Sequence, residues 1–405
     1  MLSRDLRILK YELIDLIVRY LPRILENELR RAVRQFPALI VTGPRRAGKT
    51  TLLRRMFPHA QYMLLEDPDM VGRASADPRG FLDERRLPVI LDEVQNVPAL
   101  FSYIRARIDA APRRAGQWLL TGAQDVALMR GATESMAGRA AVFQLFPFSA
   151  AESNKVSLLR GGFPEPLARP GTADIWFRSY VQTYLERDVR SISSIRDLAT
   201  FRRFLAVLAS RCGQVLNKTD LAAPLGVTVP TISGWLGILE ITGQVLLIPP
   251  FYESFGKRLL KSPKLHFVDS GLACHLLGIT SSRALASSPF LGPLFEGFVA
   301  AEIVKNRLNR GRDRGLYYFR DQQGLEVDFV LDQGNGHLAL VEAKATRTPM
   351  PDDARSLRRL ARSIGGYTSS AYLVHNAQGA MADPAALSPG VKALAWSRLG
   401  DALFS

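Results

Sequence analysis

The most legible chemistry in this chain lies in Gly43-Pro44-Arg45-Arg46-Ala47-Gly48-Lys49-Thr50, which satisfies G-x-x-x-x-G-K-[ST] in full. The pattern needs glycines where the backbone must approach phosphate oxygens, so that loop N–H groups point at them. Lys49 can reach the β- and γ-phosphates of ATP, and the Thr50 hydroxyl can ligate Mg²⁺. Thr51 follows at the start of a helical stretch whose positive end faces the same anion.

Downstream, Pro88-Val89-Ile90-Leu91-Asp92-Glu93 is an apolar run ending in two acids. Asp92 at a strand tip would hold the Mg²⁺ that Thr50 touches, and Glu93 would polarise the attacking water, which is general-base work. The next apolar run ends in Thr121-Gly122-Ala123-Gln124. Thr121 and Gln124 could orient that water or sense the γ-phosphate; a plain polar turn has the same composition. Arg139 could serve a neighbouring subunit as an arginine finger, or be one more surface arginine.

Further on, Asp328 lies in Val327-Asp328-Phe329-Val330-Leu331, and Leu340-Val341-Glu342-Ala343-Lys344 sets Glu342 and Lys344 on one strand face. An acid followed by acid-x-lysine on adjacent strands looks like a PD-(D/E)xK nuclease constellation. In it Asp328 and Glu342 would bind Mg²⁺, Lys344 would stabilise the attacking hydroxide, and Glu296 or Glu302 would add a ligand. A half-exposed strand shows the same alternation without any site.

These residues need elements to hold them. Ala38-Leu39-Ile40-Val41 before the loop reads as a buried strand, and 51–56 after it as a helix. Strands are expected at 38–42, 62–65, 88–91, 117–121 and 141–145, alternating with helices, which predicts a parallel sheet covered on both faces. Residues 1–35 read as a helical lead-in, 36–160 as the nucleotide-binding core, 161–285 as a helical region and 286–405 as an α/β domain. Within 217–245 the pattern is helix-turn-helix, with Thr228 capping a second helix. That helix has no Lys or Arg, and only Thr231, Ser233 and Trp235 could contact bases. Val245–Ile248 and Leu265–Val268 would form a wing supplied with Lys257, Arg258, Lys261 and Lys264. Such a module would touch backbone phosphates or another protein, or simply pack between domains. In the last domain a helix is expected at 294–309 and near 352–363, with strands at 316–319, 326–331, 338–342 and 371–374.

At 405 residues and 47% hydrophobic content the chain is globular and long enough for roughly two or three cores. Its two cysteines suggest neither a disulfide framework nor a zinc cluster, as in a reducing cytoplasm. No run approaches the length of a membrane span. The net charge is +15, with eleven basic against five acidic residues in the first fifty. A second basic group comprises Lys305, Arg307, Arg310, Arg312, Arg314 and Arg320. This excess suits a nucleic-acid partner as well as it suits a solvated arginine-rich surface.

The chain resembles prokaryotic AAA+ ATPases in which the ATPase domain is followed by a conserved domain of unknown function with a restriction-endonuclease-like end. The resemblance runs through Tyr20-Leu21-Pro22-Arg23, the 43–50 loop, Leu91-Asp92-Glu93-Val94-Gln95, Leu120-Thr121-Gly122 and Ala137-Gly138-Arg139. It continues through Leu145-Phe146-Pro147-Phe148-Ser149, Gly161-Gly162-Phe163-Pro164-Glu165, the segment 180–189, Glu326-Val327-Asp328-Phe329 and Glu342-Ala343-Lys344. It implies an α/β chain with three parts: an N-terminal P-loop AAA+ parallel sheet, a helical and winged-helix middle, and an α/β restriction-endonuclease-like C-terminal domain. ATP and Mg²⁺ would be bound, ATP hydrolysed, and a homo-oligomeric ring or partial ring formed, a hexamer among the options. Ala123 departs from the serine more usual there, which leaves Thr121 or Gln124 as sensor. The expectation is a cytoplasmic ATPase coupling turnover to work on nucleic acid or a nucleoprotein. The alternatives are a metal-dependent DNA nuclease regulated by ATP and a nucleotide-switched scaffold.

Overall fold

The computed structural model describes residues 20–122, 135–185, 198–251, 262–377 and 385–404. Gln124, the wing residues Lys257, Arg258 and Lys261, residues 1–19 and 186–189 lie outside them. Five strands, β1 (Ala38–Thr42), β2 (Gln61–Leu64), β3 (Val89–Asp92), β4 (Trp118–Thr121) and β5 (Ala140–Gln144), form one sheet in the order β2-β3-β4-β1-β5. Every pairing is parallel. The strands β1, β3 and β4 are buried throughout, because helices cover both faces and leave no polar side for alternation. Leu29, Leu39, Val41, Leu52 and Leu53 pack on one face, and Ile40, Leu91, Leu100, Ile104 and Leu120 on the other. All carboxyl ends point one way, so whatever follows β1, β3 and β4 meets at one edge, where open α/β sheets bind ligands.

The middle of the chain is helical. Lys218–Ala222 and Val229–Ile241 are joined through Gly226, whose φ of 65° suits glycine. The Thr228 hydroxyl caps the second helix by accepting from Thr231 N–H at 3.3 Å. An antiparallel hairpin follows, β6 (Val245–Ile248) with β7 (Lys264–Phe267). Trp235 is not a base-reading residue: it is 3% exposed and wedged between Phe201 and Phe204. Among the described residues no single helix is long and apolar enough to cross a membrane.

The C-terminal sheet runs β12 (Ala385–Ser388), β13 (Val391–Ala395), β11 (Thr368–His375), β10 (His337–Lys344), β9 (Glu326–Gly334), β8 (Leu316–Arg320). β10 pairs parallel with β11 and β11 with β13, and the other pairings are antiparallel. The helix Leu291–Leu308 joins Phe329, Leu331 and Val341 in one core, and Arg355–Ser363 joins Val330, Leu338 and Leu340 in another. β12, β13 and the final helix Leu399–Phe404 were not anticipated from sequence. Their apolar runs are short and carry little periodicity of their own.

Part of the second basic group is turned inward. Lys305, 2% exposed, donates to Phe148 O and pairs with Glu302. Arg307 donates to Asp313 O and Asp332 O, and Arg310 to Asn306. These three cations are engaged with backbone carbonyls, Asn306 and Glu302, while Arg312 and Arg320 of the same group are exposed.

Candidate functional site

The loop 43–50 leaves β1 through glycines that no other residue replaces easily. Gly43 has φ 136°, and a Cβ there would run into the carbonyl of Leu145. Gly48, at φ 100° and ψ 17°, immediately precedes the helix Lys49–Met56, which carries no acid in its first turn. The Lys49 ammonium, 5% exposed, donates to Gly43 O at 3.0 Å and Pro44 O at 2.9 Å, so it folds back over the loop.

Asp92, at the carboxyl end of β3 and 3% exposed, gathers three hydroxyls. Thr50 donates at 2.8 Å to Oδ2, Thr121 at 2.8 Å to Oδ1 and Tyr62 at 2.8 Å to Oδ2. One carboxylate therefore joins β1's loop, β2, β3 and β4. Tyr62 was missed in the sequence; its only signal is its place in the strand beside β3. Burial, then the Asp92 charge, raises its pKa well above the ordinary phenol value. Glu93 sits in the left-handed region at φ 57°, ψ 45°, which costs a non-glycine residue roughly 1–2 kcal/mol. That turn aims its carboxylate back at the loop, where Arg45 Nη1 stands 3.4 Å away and Gln95 Nε2 also donates.

Arg23 is the second residue that sequence reasoning left without a role. Its guanidinium is buried, donating to Ala47 O at 3.1 Å, Phe146 O at 2.7 Å and Glu152 at 2.9 Å, and it lies 4.3 Å over the Phe148 ring. Burial alone would raise the Glu152 pKa. Arg23 and the N–H groups of Ser149 and Ile24 outweigh it and hold the carboxyl below its usual range. The loop also touches the helical region: Gly243 packs on Pro44, and Tyr180 OH, which receives Gln244 Nε2 at 3.0 Å, lies 3.5 Å from Arg45 O.

Arg139 stands just before β5, and its carbonyl accepts from Ala38 N at the start of β1. It is therefore at the amino edge of the sheet, opposite its own chain's loop, where it pairs with Asp109 at 2.6 Å.

In the C-terminal domain the structure brings Asp328, Glu342 and Lys344 together. Asp328 Oδ2 accepts from Ala343 N at 2.9 Å, and Lys344 pairs with Glu342 at 2.8 Å. Glu296, not Glu302, faces them; Glu302 turns the other way and accepts from Ala150 N at 2.6 Å. The cation among the acids was unforeseen. Lys264, expected on an exposed wing, is 2% exposed, with Nζ 3.1 Å from Glu296, 2.6 Å from Glu326 and 3.7 Å from Asp328. Burial, then Asp328, pushes Glu296 up to about 8 against the pull of Lys264. Burial, then Asp328, pushes Glu342 to about 7. Among the described residues no three of His, Cys, Asp and Glu meet as metal ligands do.

Residues 35–154 match the family described as AAA domain. Residues 151–283 match "Domain of unknown function (DUF8612)" and 291–387 "Domain of unknown function (DUF4143)". Uncharacterized protein Rv2008c of Mycobacterium tuberculosis and uncharacterized protein Mb2031c of Mycobacterium bovis are each 33% identical to the chain over 337 residues, covering 82% of it and 75% of the relative. Among solved structures, the Walker-type ATPase PABY2304 of Pyrococcus abyssi is 16% identical, with a TM-score of 0.39 covering 62% of this chain and 94% of that one.

Proposed function

The chain belongs to the same family as these two mycobacterial proteins and matches an AAA domain over residues 35–154, and from that premise we propose that it binds ATP with Mg²⁺ and hydrolyses it. The observation that carries the reading is Thr50 and Thr121 converging on Asp92 at the mouth of the glycine loop. A hydroxyl and a buried carboxylate on facing elements are the donor set that a hard divalent cation takes. Mg²⁺ held by Thr50 and Asp92 would neutralise phosphate charge. Lys49 would exchange the carbonyls of Gly43 and Pro44 for phosphate oxygens, and the N–H groups of 45–51 would orient the phosphates. Glu93, released from Arg45 and Gln95, would take the proton of the attacking water. Thr121, and Gln124 beyond it, would sense the γ-phosphate.

Arg139 completes this site in trans. Its position across the sheet from its own loop supports a role on a neighbour's phosphates, with a homo-oligomer as the working form. The two helices at 218–241 with the β6–β7 hairpin make a winged-helix module, and turnover is coupled through Pro44, Tyr180 and Gln244 to whatever that module and the C-terminal domain hold. Nucleic acid is the partner class that the overall basicity favours. A second reading, a nuclease using Glu296, Asp328, Glu342 and Lys344, is favoured by the Ala343 N–H bond to Asp328, which sets that acid beside Glu342 and Lys344.

Purified Lys49→Ala should lose nucleotide binding, measured with a fluorescent ATP analogue. Glu93→Gln should keep binding and lose phosphate release by about 100-fold or more. Wild-type turnover in Glu93→Gln would end the general-base assignment.

A further inference from the structure

The helix Arg355–Ser363 divides its residues cleanly by face. Leu357 and Leu360, with Ile364 just beyond the helix, turn inward and are buried with Val330, Leu338 and Leu340 of β9 and β10. Arg355, Arg358, Arg359 and Arg362 recur at the i, i+3, i+4, i+7 spacing that lines up one side of a helix. Arg355, Arg359 and Arg362 are exposed, and Arg358 is half-buried. Arg355 reaches Asp352 at 3.3 Å in a pair open to water on both sides. Among the described residues the guanidinium groups of Arg358, Arg359 and Arg362 make no ion pair or hydrogen bond.

The stability of the helix does not ask for this arrangement. Like charges four residues apart repel. Two of the four arginines stand in the first turn, which holds no acid and where the helix dipole disfavours cations. The buried leucines hold the helix to the sheet whatever its outer side carries. Between the arginines lie only the serines 356 and 363, so the face lacks the dry apolar centre of a protein interface. The apolar side is spent on the sheet, and nothing is left to sink into a lipid surface. What remains is a row of planar forks about 10 Å long, each able to take a phosphate through two parallel N–H bonds. One strand of a duplex offers a phosphate about every 3.4 Å along its axis, so several fall within that row.

We propose that the outer face of the helix Arg355–Ser363 is a docking surface for the phosphate backbone of nucleic acid, with Arg355, Arg358, Arg359 and Arg362 as its contacts. Backbone contacts carry no direct sequence readout, so binding is indifferent to base order and sensitive to salt. The inference rests on the nucleic-acid reading of the partner and gives that partner a place on the molecule. It requires neither ATP hydrolysis nor strand cleavage.

Fluorescence anisotropy of a labelled DNA duplex of arbitrary sequence, titrated with the full chain at several salt concentrations, tests it. Arg358→Gln/Arg359→Gln/Arg362→Gln should melt as wild type does and bind roughly 30-fold or more weakly at about 0.1 M salt. The slope of log affinity against log salt should flatten by about 3. Should that variant melt lower, the exposed pair Arg359→Gln/Arg362→Gln carries the test, with a slope change of about 2. Arg79→Gln/Arg113→Gln/Arg114→Gln removes the same charge from exposed positions of the AAA domain and should bind within about 3-fold of wild type, since distant charges are screened. A wild-type chain that binds no duplex would overturn both this surface and the nucleic-acid reading. Duplex binding that both triple variants lose equally, or that neither loses, would overturn the surface alone. Capture of phosphatidylserine vesicles or polyglutamate through the same arginines, with duplex binding unchanged in the helix variant, would overturn it as well.

Discussion

Arg23→Met tests how the glycine loop is held. The substitution keeps most of the volume and removes a guanidinium that reaches Ala47 O, Phe146 O and Glu152 together. Glu152 would remain with its side chain fully buried, still receiving Ser149 N–H at 2.9 Å and Ile24 N–H at 3.0 Å but no cation. Stranding one partner of a buried ion pair costs about 3–5 kcal/mol. The two backbone donors favour the lower end, and the two abandoned carbonyls add about 1 kcal/mol each. The expected loss is therefore about 5 kcal/mol, read as a shift in the urea midpoint. Arg23→Met/Glu152→Gln should recover about 2 kcal/mol of it, because no charge is left unpaired. ATP affinity should fall in both, since Ala47 is no longer tied down. If the single losses simply add in the double variant, the buried pair does not hold the loop.

Three further outcomes follow from the geometry. Tyr62→Phe should cost about 1–2 kcal/mol of stability through the lost hydrogen bond to Asp92; an unchanged denaturation curve would remove Tyr62 from the site. Arg139→Ala and Lys49→Ala should each lack ATPase activity, while their mixture regains part of it, as phosphate release would report. A mixture no better than either alone would rule out a finger acting in trans. His266 has its pKa pushed down to about 3 by burial, then by Lys264. The unfolded chain therefore binds a proton below about pH 6.5 that the folded chain refuses, and stability falls as pH drops from about 6.5 towards 3. At pH 5 that difference is about 2 kcal/mol. His266→Phe should flatten that part of the stability profile, which urea titrations at several pH values would measure.

What could be read in advance was local in sequence. The 43–50 loop, Asp92 and Glu93 announce themselves because strand, turn and acid are contiguous, and the buried strands of a parallel sheet are continuous apolar runs. The order β2-β3-β4-β1-β5 is a different matter, since it depends on which runs pair, and nothing in a single run states its neighbour. Arg23 and Glu152 are 129 residues apart, and neither has a motif that names the other. Tyr62 became visible only when β2 was set against β3.

Lys264 makes the same point with its sign reversed. In sequence it is one more base in a run of bases, and an exposed wing is the natural place for it. In the fold, β7 pairs with β6 and lies along Tyr318 at the edge of the C-terminal sheet, so the side chain has no route to water and must find acids. Lys305, Arg307 and Arg310 behave alike, spending their charge on carbonyls and on Glu302. Net charge read along the chain therefore overstates the cationic surface. The residues that carry the remaining excess are exposed ones such as Arg312 and Arg320, and a partner drawn by charge must be met there and not at the hairpin's buried lysine.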